Sequence, residues 1–196
     1  MRGRILPFRP RGRADPGAAE APLLAADQDR FRRLVLPHLD AAYNFARYLR
    51  RDGAAAEDIV HDAFLRAWRA FPGFRGENPK AWLFAIIRNL VFSSAHAEKT
   101  RAELFAPEPA GEPAAADEPD PEALAIRNAE VQTVRRAIEA LPEPFRETLV
   151  LRDLEELSYR EVADVTGVPI GTVMSRLSRA RQMLATALMG QEEVRA

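Results

Sequence analysis

The chain has 196 residues, 47% hydrophobic and 29% charged, with a formal net charge of −1, a globular composition with room for one ordinary domain or two small ones. It holds no cysteine, which excludes disulfides, thiolate catalysis and cysteine-ligated zinc. No apolar run approaches the roughly 20 residues that span a bilayer, so membrane insertion is not expected, and MRGRILPFRPRGR lacks the apolar stretch of a secretory signal.

The near-neutral total hides an uneven distribution. Residues Ala102 to Glu122 carry seven acids and no base, so the rest of the chain sums to +6. Residues 1–24 read as a disordered basic tail. A first helical block follows over 25–98. Phe31, Leu34 and Val35 open it, Pro37 interrupts it, and Leu39, Tyr43, Ala46 and Leu49 recur at helical spacing up to Arg50-Arg51-Asp52-Gly53. A second helix is predicted from about Ala54 to Ala70, with Ile59, Ala63, Phe64, Ala67, Trp68 and Phe71 as its apolar stripe and Phe71-Pro72-Gly73 as its stop. After a short loop, Asn78 is a good N-cap and Pro79 suits the first helical position. Leu83, Ile86, Ile87, Leu90 and Val91 then mark one buried face.

Residues 99–121, with PEPAGEPAAADEPDPE toward their end, are too acidic and too rich in Pro and Ala to offset their ordering entropy, and read as a flexible linker. The second block is expected over 122–190, with a tail at 191–196. Val131, Val134, Ile138 and Leu141 mark its first helix, and Phe145, Leu149 and Leu154 the next. The fold class is therefore all-α: two small helical domains expected to move independently.

The most informative stretch begins at Ser158. Ser158 and Glu161 form a capping box, and a short helix carries Tyr159, Val162, Ala163 and Val165. Gly167 supplies the turn, and Pro169 introduces a helix to about Leu188. Helix, short glycine-bearing turn, helix is the pattern of a DNA-binding helix-turn-helix. Between Pro169 and Gly190 there are three arginines and no acid. Val173 and Leu177 face inward, and hydroxyls and arginines are left for phosphates and base edges.

Here the residues resemble a known family. Ser158-Tyr-Arg-Glu-Val-Ala, followed by Val168-Pro-Ile-Gly-Thr-Val-Met-Ser-Arg-Leu-Ser-Arg-Ala-Arg181, is similar to region 4 of extracytoplasmic-function (ECF) sigma factors of bacterial RNA polymerase. Leu141-Pro-Glu-Pro-Phe-Arg-Glu-Thr-Leu is similar to the opening of the same region. Ala56-Glu-Asp-Ile-Val-His-Asp-Ala-Phe-Leu-Arg-Ala-Trp68 looks like region 2.2, and Phe74 to Asn89 looks like the segment that meets the promoter −10 element. The latter stretch also bears some likeness to the general stress sigma factors of alphaproteobacteria.

The resemblance implies a division of labour. Asp58, His61 and Asp62 match the positions that dock on core RNA polymerase. Arg75, Asn78, Lys80, Trp82, Arg88 and Asn89 match the part that captures unpaired −10 bases, a task needing polar groups, cations and a stacking surface. Trp82 is equally suited to the core. Thr172, Met174, Ser175, Arg176, Ser178 and Arg179 match the face that reads the duplex −35 element, Met174 standing where a basic residue is common. The family also implies an anti-sigma factor as partner, a cytoplasmic setting, no cofactor and no metal. Two rival readings are a helix-turn-helix regulator that works without polymerase and a sigma-like decoy for an anti-sigma factor. Catalysis has no support: there is no phosphate-binding glycine loop or nucleophile elbow, and Glu155 and Glu156, being adjacent, do not converge on one helix face.

Overall fold

The computed structural model describes the backbone over residues 25–104 and 122–193 and the side chains over 25–94 and 131–190. The basic tail at 1–24, residues 105–121 of the expected linker and the end of the chain at 194–196 lie outside the described residues. Every described element is helical.

The first block begins with α1 (Ala25–Leu34). Pro37 has no amide hydrogen for an α-helical ladder, and the chain passes through a 3-10 turn at Leu36–His38 before α2 (Leu39–Arg50). Arg51 ends α2 in the left-handed region, at φ 61°. Asp52 then starts α3 (Gly53–Ala70), its carboxylate accepting from the amides of Ala54 and Ala55. A second 3-10 turn at Phe71–Gly73 stops α3 as the Pro-Gly pair predicts. α4 (Pro79–Leu104) is capped by Asn78, whose Oδ1 accepts from the Ala81 amide at 3.1 Å. α4 therefore continues into residues that composition assigned to the linker.

The second block contains α5 (Glu122–Ala140), α6 (Glu143–Leu149), α7 (Tyr159–Thr166) and α8 (Ile170–Glu193). A π-helical turn at Val150–Leu154 extends α6. The helix-turn-helix is as the sequence predicts. Ser158 Oγ accepts from the Glu161 amide, and Glu161 Oε2 accepts from the Ser158 amide. Gly167 adopts φ 69°, which a glycine takes without steric cost. Val173 and Leu177 are buried. The stripe predicted for α5 is only half realised: Ile138 and Leu141 are buried, while Val131 and Val134 are exposed. Val131 lies at the rim of a cleft that α2 and the π turn share.

The blocks do not stand apart as two independent bodies. Phe45, Phe71, Phe84 and Ile87 of the first and Ile138, Leu151, Val162 and Val173 of the second belong to one contiguous core. Three contacts explain why. Arg146, buried on α6, donates to the carbonyls of Glu139 (3.0 Å) and Leu141 (2.8 Å) in its own block and to Leu49 at the end of α2 (3.5 Å). Helix ends leave carbonyls unpaired and carry partial negative charge, so one guanidinium serves the C-termini of α2 and α5 together. Arg135 of α5 lies over the Tyr48 ring of α2, 5.6 Å from its centroid. The third contact is the polar face of α4.

Candidate promoter and polymerase interface

The loop before α4 rests on aromatic packing. Phe74 is buried against Phe71, with ring centroids 5.9 Å apart, and against Trp82 at 4.7 Å. Trp82 is partly buried, and its ring also lies 6.4 Å from that of Phe71. A Cβ on Gly76 would stand 2.8 Å from the Phe74 ring, so the loop needs a residue without a side chain there. Arg75 points outward and folds back onto the carbonyls of Pro72 (2.6 Å) and Phe74 (3.0 Å).

On α4 itself, three of the predicted DNA-facing groups are engaged by carboxylates of the second block. Asn78 donates from Nδ2 to Glu161 Oε1 at 2.6 Å while its Oδ1 caps α4. Lys80 Nζ meets Glu155 Oε2 at 2.9 Å and the Glu155 carbonyl at 2.8 Å. Arg88 Nε donates to Glu147 Oε1 at 2.5 Å, with its guanidinium over the Phe92 ring. Asn89 is exposed.

Burial pushes the Glu147 carboxyl above its ordinary value and Arg88 pulls it partly back. Burial also pushes Glu161 up, but the hydrogen bonds from Asn78 and from the Ser158 backbone and hydroxyl together outweigh it and hold that carboxyl low. His38, beside the Lys80–Glu155 pair, is held below its ordinary value by burial first and by Lys80 second.

The other two predicted surfaces are open. Asp58, His61 and Asp62 are exposed along one face of α3, Asp62 pairing with Arg66 at 3.4 Å. On α8, Met174, Ser175, Ser178 and Arg179 are exposed, Thr172 and Arg176 partly so. The Ser175 hydroxyl donates to the Thr172 carbonyl. Arg181, on the same helix, is held by Asp153 through two hydrogen bonds of 2.7 and 2.9 Å. No sequence signal marked Glu147, Glu155 or Arg146, each of which has a partner in the first block, remote in the chain. Gly76 was visible as a loop glycine, but its contact with Phe74 was not.

Two helical blocks in this order, the second ending in a capped helix-turn-helix, are matched by two family models. Residues 34–100 match Sigma-70 region 2, and residues 132–184 match Sigma-70, region 4. The chain belongs to the sigma-70 family. Among its relatives is the RNA polymerase sigma-H factor of Pseudomonas aeruginosa, 34% identical over 173 residues that cover 83% of this chain and 88% of that one. The ECF RNA polymerase sigma-E factor of Escherichia coli K12 is 34% identical over 170 residues, 81% and 86% of the two chains. Among solved structures, the sigma factor RpoE of Bartonella quintana, in complex with the anti-sigma factor NepR, has a TM-score of 0.66 at 31% identity, covering 82% of this chain and 98% of that one. CnrH in complex with the cytosolic domain of CnrY has a TM-score of 0.58 at 26% identity, covering 83% and 90%. With regions 2 and 4 both present and ECF relatives on either side, this chain is a promoter-recognising sigma factor of the ECF type. None of its described helices is long and apolar enough to cross a membrane.

Proposed function

We propose that the three surfaces divide the work of initiation. The exposed α3 face of Asp58, His61 and Asp62 docks on core RNA polymerase. The loop and first turns of α4, through Arg75, Asn78, Lys80, Arg88 and Asn89, hold unpaired −10 bases, with Trp82 bracing the loop from beneath. The face of α8 carrying Thr172, Met174, Ser175, Arg176, Ser178 and Arg179 reads the −35 duplex. The chain contributes binding and no chemistry of its own, works in the cytoplasm, and is held in check by an anti-sigma factor, the kind of partner with which RpoE of Bartonella quintana is in complex.

The observation that carries this reading is the make-up of α8. Its inner residues Val173 and Leu177 are anchored in the core, while its outer face offers hydroxyls and arginines to solvent and has no acid between Pro169 and Gly190. Such a helix positions itself on phosphates and reaches base edges in the major groove.

The test is run-off transcription with purified core polymerase and a pooled promoter library, with and without the protein. New transcripts that share −10 and −35 elements are expected. Duplex binding without polymerase binding would instead make the chain a stand-alone regulator. Binding to an anti-sigma protein alone would make it a decoy.

A further inference from the structure

The three arginines of α8 are not in the same state. Arg179 is exposed and Arg176 partly so, and among the described residues no acid pairs with either. Arg181 is bound. It donates from Nε and Nη2 to the two carboxylate oxygens of Asp153, at 2.9 and 2.7 Å, the two-pronged geometry in which a guanidinium holds a carboxylate or a phosphate. Asp153 stands in the π turn that extends α6, carried by the buried Val150 and Leu151 beside it. The pair is open to water: the arginine side chain keeps 55% of its surface exposed and the aspartate 30%. Exposed pairs of this kind add little to stability, so stability is a poor account of it. Its place is more telling. Residues 174, 178 and 181 are spaced i, i+4, i+7 and share one side of the helix, and Met174 and Ser178 are exposed members of the face assigned above to the −35 duplex. Arg181 thus continues a row of that face with its charge already neutralised.

We propose that Asp153 sets the strength of duplex binding by withholding Arg181 from the DNA backbone. While the pair is made, the guanidinium grips a carboxylate in place of a phosphate, and α8 meets the duplex with one cation fewer. A phosphate contact adds affinity on any sequence and carries no base information. Asp153 therefore limits sequence-independent attachment and leaves base preference to the other residues of the face. The proposal rests on the reading of α8 as the −35 surface, and the experiment separates the two.

The full-length protein is titrated against two short fluorescent duplexes, one of random sequence and one carrying the −35 element recovered from the run-off transcripts. Anisotropy is read over a series of salt concentrations. Asp153→Asn keeps the shape of the side chain and removes its charge. It is expected to tighten both duplexes by the same factor and to steepen the slope of log K against log salt by about 0.9, the increment of one added phosphate contact. If that contact adds nothing at about 1 M salt, the gain at about 0.1 M is about eightfold. Asp153→Asn combined with Arg181→Ala is expected to return close to the parent. Glu156→Gln, which makes the same change in net charge at a nearby exposed position, is expected to gain less and to leave the slope unchanged.

No tightening by Asp153→Asn, or weaker binding, overturns the proposal, the latter by making the pair a brace that holds α8 in place. So does a double variant as tight as Asp153→Asn, which puts the gain in the loss of the acid and not in the freed arginine. An equal gain and slope from Glu156→Gln overturns it too, by reducing the effect to net charge. Arg179→Ala, measured alongside, reports on the reading itself. If it weakens duplex binding while Asp153→Asn changes nothing, the reading of α8 stands and the proposal alone falls. If it leaves both duplexes unaffected, α8 is not the duplex surface and both fall.

Discussion

Arg88→Ala leaves Glu147 without its counter-ion in a place where water barely reaches it. Breaking a fully buried pair by removing one partner costs about 3–5 kcal/mol. Two features reduce that figure here: the Arg88 side chain keeps 23% of its surface in water, and separation of the blocks offers Glu147 a route back to solvent. The expected loss near neutral pH is therefore about 2–3 kcal/mol, at and below the lower end of the buried-pair range. The sign with pH follows from the direction of the Glu147 shift. Its carboxyl is raised by burial, so the folded state favours the protonated form. The stability this contributes is complete below the unfolded value of 4.5 and is lost as pH rises through the folded one. Arg88 opposes that rise, so removing it raises the folded value further and enlarges the penalty at higher pH. Arg88→Ala is therefore expected to destabilise strongly at about pH 7.5 and much less at about pH 5. Glu147→Gln in the same chain is expected to recover most of the loss at the higher pH. Urea unfolding followed by tryptophan fluorescence and far-UV circular dichroism measures all four combinations. An equal loss at both pH values, unaffected by Glu147→Gln, would refute the argument that an unpaired buried carboxylate is the cause.

Ser158→Ala removes the hydroxyl that caps α7 and is expected to cost about 1 kcal/mol, read as a lower thermal midpoint; an unchanged midpoint would mean the cap is redundant. Gly76→Ala drives a Cβ toward the buried Phe74 ring and is expected to cost about 1–3 kcal/mol by overpacking, with a changed Trp82 emission reporting the shifted loop. Arg176→Ala and Arg179→Ala are expected to weaken −35 duplex binding, each by about 1–3 kcal/mol where the arginine reads a guanine. Core polymerase capture should be preserved in both, and its loss would sink the division of surfaces. Arg181→Ala is expected to affect duplex binding less than either, because its guanidinium is already committed to Asp153, and an equal effect would place it on the reading face.

What was legible in the sequence follows the range of the forces involved. The capping box at Ser158 and Glu161, the turn at Gly167 and the cap at Asn78 each depend on residues within a few positions of one another, and each is realised as expected. The arrangement of the blocks was not legible. The pairs that close it join Asn78 to Glu161 and Arg88 to Glu147, separated by 83 and 59 positions, and neither local periodicity nor composition reports on partners so remote. The acidic stretch within 102–122 led, on composition alone, to the expectation of freedom between the blocks. Its composition says nothing, however, about whether the blocks it joins attract each other. Glu155 shows the same limit from the other side. Its adjacency to Glu156 spoke only against a converging catalytic pair, whereas the π turn ahead of them turns Glu155 inward to Lys80 and leaves Glu156 exposed at φ 59°.

The distribution of open and covered surfaces has a consequence for the order of events. The docking proposed for Asp58, His61 and Asp62 requires no rearrangement, because that face of α3 is exposed with the blocks in contact. If Lys80 and Arg88 hold unpaired bases as proposed, the carboxylates of Glu155 and Glu147 that they pair with must be displaced first. A closed chain is thus competent for polymerase before it is competent for the −10 strand. If polymerase holds the two blocks farther apart than the Lys80–Glu155 and Arg88–Glu147 contacts allow, docking itself performs the opening. The free-energy cost of parting the pairs is then met by the polymerase interface and not by DNA. Free protein is on this account a weak single-strand binder, and its affinity for promoter bases appears only on the enzyme.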